Sequence, residues 1–276
     1  MRIALKTIYT IWLREVKTFA REKFRVIAMI GQPLLYLLVL GNGINSGVTL
    51  NANGGINYLT FMYPGIIGMS ILFTSIFSAV SIIWDREFGF LKEVLVAPVP
   101  RWAVSIGKTF GGATIAIVQA TIMILMAPII GISLSPAMIV EMWVLAFLIG
   151  VALTSLGIAI AARMASMQGF QMIMNFLVMP LYFLSGAMFP LSSAPGWMKA
   201  LMVVDPLTYC VDGLRNIIFS NTTVTTGALV GRTIVDVASR VGLIRWSLAF
   251  DMLVVTMVAT ALTAIGAYRF SNQKES

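Results

Sequence analysis

Six continuous apolar runs, each close to the length that crosses a bilayer, dominate this chain and leave few ways for it to fold. They lie at 24–42, 60–84, 109–132, 137–162, 169–189 and 247–268, and a helix of about 20 apolar residues spans the hydrocarbon core. Lipid offers no hydrogen-bond partners, so only helices and closed barrels satisfy every backbone group within it. The runs are apolar throughout rather than alternating, which favours helices over barrel strands. An all-α, polytopic membrane protein with six transmembrane helices is therefore expected. Composition agrees: 59% of residues are hydrophobic and 11% charged, whereas soluble domains carry about 25% charged residues. The first run follows two dozen polar and basic residues and lacks a small-residue cleavage site, so it reads as a retained span rather than a leader.

The net charge of +8 would suit nucleic acid, but its placement points to the membrane instead. Seven Lys and Arg fall at or before Arg25, and Arg86, Lys92, Arg101 and Lys108 flank the second connection, while the first connection carries none. Cytoplasmic flanks of spans collect such residues. With both termini in the cytoplasm, Arg163, Arg269 and Lys274 also lie inside, leaving five basic residues outside. No nucleic-acid partner is expected. The single Cys210 excludes an intrachain disulfide, and the absence of His removes imidazole metal sites and the usual Ser-His and Cys-His pairs. No catalytic or metal-binding residue is assigned, and the chain is not expected to be an enzyme.

Ahead of the first span, Leu5, Ile8, Tyr9, Trp12, Val16 and Phe19 share one sector of a helix, with Lys6, Arg14, Lys17 and Arg21 nearly opposite. Residues 3–23 thus form an amphipathic helix on the inner membrane surface, serving as lever or anchor. After the fifth span, residues 194–219 hold two apolar segments too short to cross, divided by Asp205 and Pro206. They read as short helices dipping into the outer interface, where Asp212 and Arg215 stand three apart and able to neutralise each other. The stretch 220–246 is expected to be an exposed loop with one amphipathic helix, of unassigned role.

Residues 85–101, DREFGFLKEVLVAPVPR, concentrate charge between two spans. Asp85 and Glu87 suit a helix N-terminus, and Pro98 and Pro100 prevent its continuation. Phe88, Phe90, Leu91, Val94 and Leu95 are out of place in an aqueous loop and fit a protein groove. That block, extended to DREFGFLKEVLVAPVPRWAVSIGK, stands with QPLLYLLVLG from residue 32 and FLSGAMFPLSSAPGWMKALMVVDPLTYCVDGLR from residue 183. Together they resemble the membrane subunit of type-2 ABC exporters, most closely the daunorubicin-resistance type of drug-export permease. The resemblance implies one transmembrane domain over 1–276, working as a dimer of permease copies with separate ATPase subunits that hold ATP and magnesium. It implies a coupling helix at 85–96, with Arg86, Glu87, Phe88, Leu91 and Glu93 at the ATPase contact, and outer re-entrant helices at 194–219. The implied activity is export of an amphipathic or hydrophobic, drug-like compound across a bacterial or archaeal cytoplasmic membrane. Export of a lipid-linked saccharide by the same fold is the alternative.

ATP hydrolysis needs a GxxxxGK[ST] loop to cradle phosphate. Gly107-Lys108-Thr109 supplies only its end, because Trp102 occupies the position of the first glycine. Gly107 and Gly111 read instead as a small-residue helix contact. For the substrate route, Ser70, Thr74, Ser78 and Ser81 share one sector of the second span. Gln168, Gln171, Asn175 and Tyr182 share one of the fifth, with Met172, Met174 and Met179 around it. Polar residues in spans face the interior or bond between helices. The assigned pathway set is Ser70, Thr74, Ser78, Gln171, Asn175, Met179 and Tyr182. Glu141 and Asp251, near outer span ends, are read as interfacial; a proton-coupled transporter acting alone would use them as a relay.

Overall fold

The computed structural model of the chain describes residues 2–44, 58–89, 99–164, 166–189, 194–221, 235, 238–239 and 243–271. Among these residues the secondary structure is helical throughout, with no strand. Helix α1 is Arg2–Arg21, and α2 is Lys23–Ile44. Helices α3, Tyr58–Ser78, and α4, Val80–Glu87, are parted only by a turn at Ala79 and together make one long apolar stretch, Leu59–Glu87. Next come α5, Arg101–Met126, with a 3-10 turn Ala127–Ile130, then α6, Pro136–Ala161, and α7, Met167–Leu184. Two short helices follow, α8, Gly196–Val204, and α9, Pro206–Ser220, before α10, Leu248–Ser271. Five stretches are long and apolar enough to cross a membrane by length and composition alone, those of α3–α4, α5, α6, α7 and α10. With α2 they match the six expected spans to within several residues.

Local chemistry sets the boundaries. Ser135 accepts a hydrogen bond from the Met138 N–H and Pro136 opens α6, while Ser166 accepts from the Gly169 N–H at the start of α7. These caps answer the orphan donors of a helix start. Asp205 does the same for α9, accepting from the Leu207 N–H at 2.9 Å. The chain leaves α4 through Gly89, at φ +80°, a conformation that side chains with a Cβ resist.

Helix α6 lies at the centre, packed on α5, α10 and α3. In lipid, helices associate by close van der Waals fit rather than by leaving water. Gly150 of α6 meets Ala113 and Ala116 of α5 so closely that an added Cβ would come within 2.7 Å. Helix α9 is buried from Leu207 to Phe219 and packs on α10, α3 and α6. At 15 residues it is about 22 Å long, too short to span.

The contacts sort the connections onto two ends of the bundle. At one end Arg86 reaches the Ala162 and Met164 carbonyls after α6, and Arg269 of α10 reaches the Ala159 carbonyl. Helix α1 lies at this end, against the start of α5. At the other end Ser133 and Ser135 bond to Asn221 after α9, and Arg215 bonds to Gly186 after α7. The alternation follows the order in which five helices cross and recross.

Candidate functional site

The first candidate site lies where α1, α4 and α5 meet. Lys108 Nζ donates to Glu15 at 2.8 Å and to Ser81 at 2.9 Å, and pairs with Asp85 at 2.6 Å. Arg14 holds both oxygens of Asp85, one of them at 3.1 Å. Two cations thus face two carboxylates, and only Arg14 of the four is substantially open to its surroundings. Burial alone would lower the Arg14 guanidinium, but Asp85 beside it raises it above its ordinary value. Helix α1 can approach because Gly107 and Gly111 face it: a Cβ at Gly111 would fall 2.6 Å from that of Glu15. The small-residue contact read from the sequence is present, with α1 as the helix that uses it.

Two expectations change here. Helical periodicity sets Arg14 on the polar face of α1, yet it points to the bundle, because Asp85 offers a partner that pattern alone does not reveal. Buried Ile11 belongs to the packed face of α1, whereas Leu5 and Tyr9 of the expected apolar sector stay exposed. Asp85 and Glu87 were placed at the N-terminus of a coupling helix, but they occupy the last turn of α4, which ends at Glu87. Arg86 turns inward to the α6–α7 turn rather than outward. Glu87 and Phe88 are exposed, Phe88 at 83%. Leu91, Glu93 and the remainder of the 85–96 helix from residue 90 lie outside the described residues, as does most of 220–246.

Among the described residues the two polar stripes lie on separate surfaces. Ser70 and Thr74 lie on a cleft between α2, α3 and α5. Ser78 is buried beside Thr154 of α6, donating to the Ser75 carbonyl, and Ser81 joins Lys108. On α7, Gln171, Asn175 and Met179 are exposed on a face that no described residue covers, while Tyr182 is buried at 7% exposure.

At the opposite end, a second polar network fixes α9. Arg215, fully buried, donates to the Gly186 and Leu243 carbonyls and lies 4.6 Å over the Phe61 ring. Asp212 accepts from the Arg245 and Trp246 N–H groups. Both residues hydrogen-bond backbone groups, and their opposite charges also attract each other along α9. Asp251, expected at the headgroups, is buried against α9, where it accepts from Asn216 at 3.3 Å; the short helix shields what its position near a span end would expose. Glu141 is partly exposed. Among the described residues no group of three or more His, Cys, Asp or Glu is placed to hold a metal ion.

Comparison with known proteins decides the lineage: the sequence profile described as ABC-2 type transporter matches residues 6–219. The chain belongs to the ABC-2 type transporter family. This ABC-2 protein is 32% identical over 198 residues to the transport permease named ycf38 of Cyanophora paradoxa, covering 71% of this chain and 68% of that one. It is 24% identical over 255 residues to nodulation protein J of Rhizobium leguminosarum bv. viciae, covering 91% and 92%. With the inner membrane transport permease YadH of Escherichia coli K12 the identity is 25% over 224 residues, covering 77% and 82%. The ABC-2 chain is a multi-pass membrane protein and a transport permease. Both polar networks lie mainly inside the matched region, with Leu243, Arg245, Trp246 and Asp251 beyond it.

Proposed function

We propose that this permease is the membrane half of an ATP-driven exporter that moves an amphipathic or hydrophobic, drug-like compound out across the cytoplasmic membrane. In this reading two permease copies pair, two separate ATPase subunits bind ATP and magnesium, and both termini lie in the cytoplasm. The observation that carries it is the last turn of α4. Asp85 grips α1 and α5 through Arg14 and Lys108, and Arg86 grips the α6–α7 turn. The segment that follows resembles a coupling helix, so a push on it would reach four helices at once. Exposed Glu87 and Phe88, with Leu91 and Glu93, then meet the ATPase, while Arg86 passes the movement inward. Ser70, Thr74, Gln171, Asn175 and Met179 border the substrate route; Ser78 and Tyr182, packed as they are, support it. Only the tail of a phosphate-cradling loop occurs in the sequence, so the energy comes from another chain. The name of the Escherichia coli relative supports an inner-membrane location.

The test is reconstitution in proteoliposomes with and without the cognate ATPase. ATP-dependent movement of amphipathic compounds, lost when the ATPase is omitted, is the expected result. Transport by the permease alone, driven by a proton gradient, would overturn the reading.

A further inference from the structure

Pro33 stands inside α2. It has no N–H to give, and its ring crowds the carbonyl four residues back, which is Met29. Gln119 of α5 answers that carbonyl, its Nε2 donating to the Met29 oxygen at 3.1 Å. A membrane helix tolerates proline when a neighbour supplies the missing bond in this way. The repair has a remainder: Gln119 is 1% exposed and its Oε1 is buried with no partner among the described residues. Buried acceptors of this kind are costly and rare.

Beside this repair the helices leave a cleft of about 210 Å3. From α2 it takes Arg25, Gln32 and Pro33, positions that share a helical face over about 12 Å. From α3 it takes Phe73, Thr74 and Phe77, and Gln119 of α5 completes the lining. Phe73 and Phe77 present two nearly parallel rings, 6.0 Å apart and 3° from coplanar. Ser70 spends its hydroxyl on the Ile66 carbonyl, whereas Thr74 makes no hydrogen bond among the described residues. Arg25 is neutralised by Glu22 at 3.3 Å, so nothing at this end of the cleft demands a charged guest.

We propose that the cleft between α2, α3 and α5 binds the flat, apolar end of an uncharged amphiphile that offers an N–H or O–H donor to Thr74. Its volume falls below the 300–1,000 Å3 of pockets for drug-sized ligands. It therefore holds one ring system and leaves the rest of the molecule projecting. The stacked phenyl rings suit a planar guest by offset stacking. That the guest is cargo rests on the exporter reading above; that the cleft binds it does not. An ordinary acyl chain has neither ring nor donor, which sets the proposed guest apart from bilayer lipid.

A Ser70→Cys variant of the full chain tests this, since Ser70 lines the cleft one helical turn from Thr74, the native Cys210 is buried and wild-type protein supplies the background. Maleimide labelling is followed in detergent and in phosphatidylcholine nanodiscs, with and without N-phenyl-1-naphthylamine, an uncharged two-aryl amine with one N–H. The amine should slow labelling in both settings, and its N-methylated analogue, lacking the donor, should need about fivefold more to match it. Equal protection by the two amines would overturn the proposal. So would no protection, or labelling already blocked in nanodiscs and indifferent to either amine, the signature of a lipid in the cleft. Because the readout needs neither ATP nor transport, a failed export assay with intact protection would count against the exporter reading alone.

Discussion

Lys108 lies at 3% exposure with two carboxylates and a hydroxyl around its amino group. Breaking a buried ion pair by removing one partner costs about 3–5 kcal/mol, since the other charge is left stranded. Lys108→Met should therefore destabilise the protein by about 3 kcal/mol in a denaturant titration in detergent. Adding Glu15→Leu, which leaves Arg14 and Asp85 to each other, should recover most of the loss, and an additive double mutant would refute the coupling. The sequence showed this lysine only as part of an incomplete phosphate-loop motif. Its partners stand 93 and 23 positions away, and no local pattern links residues at such separations. Arg14 was misplaced for the same reason: helical periodicity sorts residues by polarity and cannot see a polar partner buried beneath the helix.

At the scale of elements, the join between α8 and α9 is the most informative. Asp205 caps α9 through one oxygen while the other is buried with no partner among the described residues, and burial pushes its carboxyl up to about 7 despite the Leu207 N–H. A carboxyl raised in the folded state favours folding when protonated. That contribution is complete below about pH 4 and is lost as pH rises through about 7. Asp205→Asn keeps an acceptor for the cap and removes the titration. Its melting temperature relative to wild type should rise between pH 5 and pH 8; a constant difference would refute the assignment. Asp212 is also raised by burial, so only the difference between the two proteins isolates Asp205. The break at Asp205 and Pro206 was legible because both residues act locally. The end of α4 was not, although Gly89 was in view: the apolar count stops at Trp84, while pairing of Asp85 and Arg86 to other helices carries the helix one turn further.

For the whole molecule, the open face of α7 and the packed residue beneath it make opposite forecasts. Asn175 is exposed, so Asn175→Leu should leave assembly intact and change the ranking among several transported compounds. Tyr182 is buried, and Tyr182→Ala should instead lower stability by about 3–5 kcal/mol and reduce all compounds alike. Uniform loss in the Asn175 variant would move the route to another face. The cluster at Lys108 also bears on how the chain is made. Glu15 leaves the ribosome 93 residues before Lys108, an interval of about 5–19 s at typical bacterial and eukaryotic synthesis rates. Through that interval Glu15 lacks Lys108, the partner that fixes it to α5. Helix α1 is thus secured through this cluster only after α4 and α5 have been made.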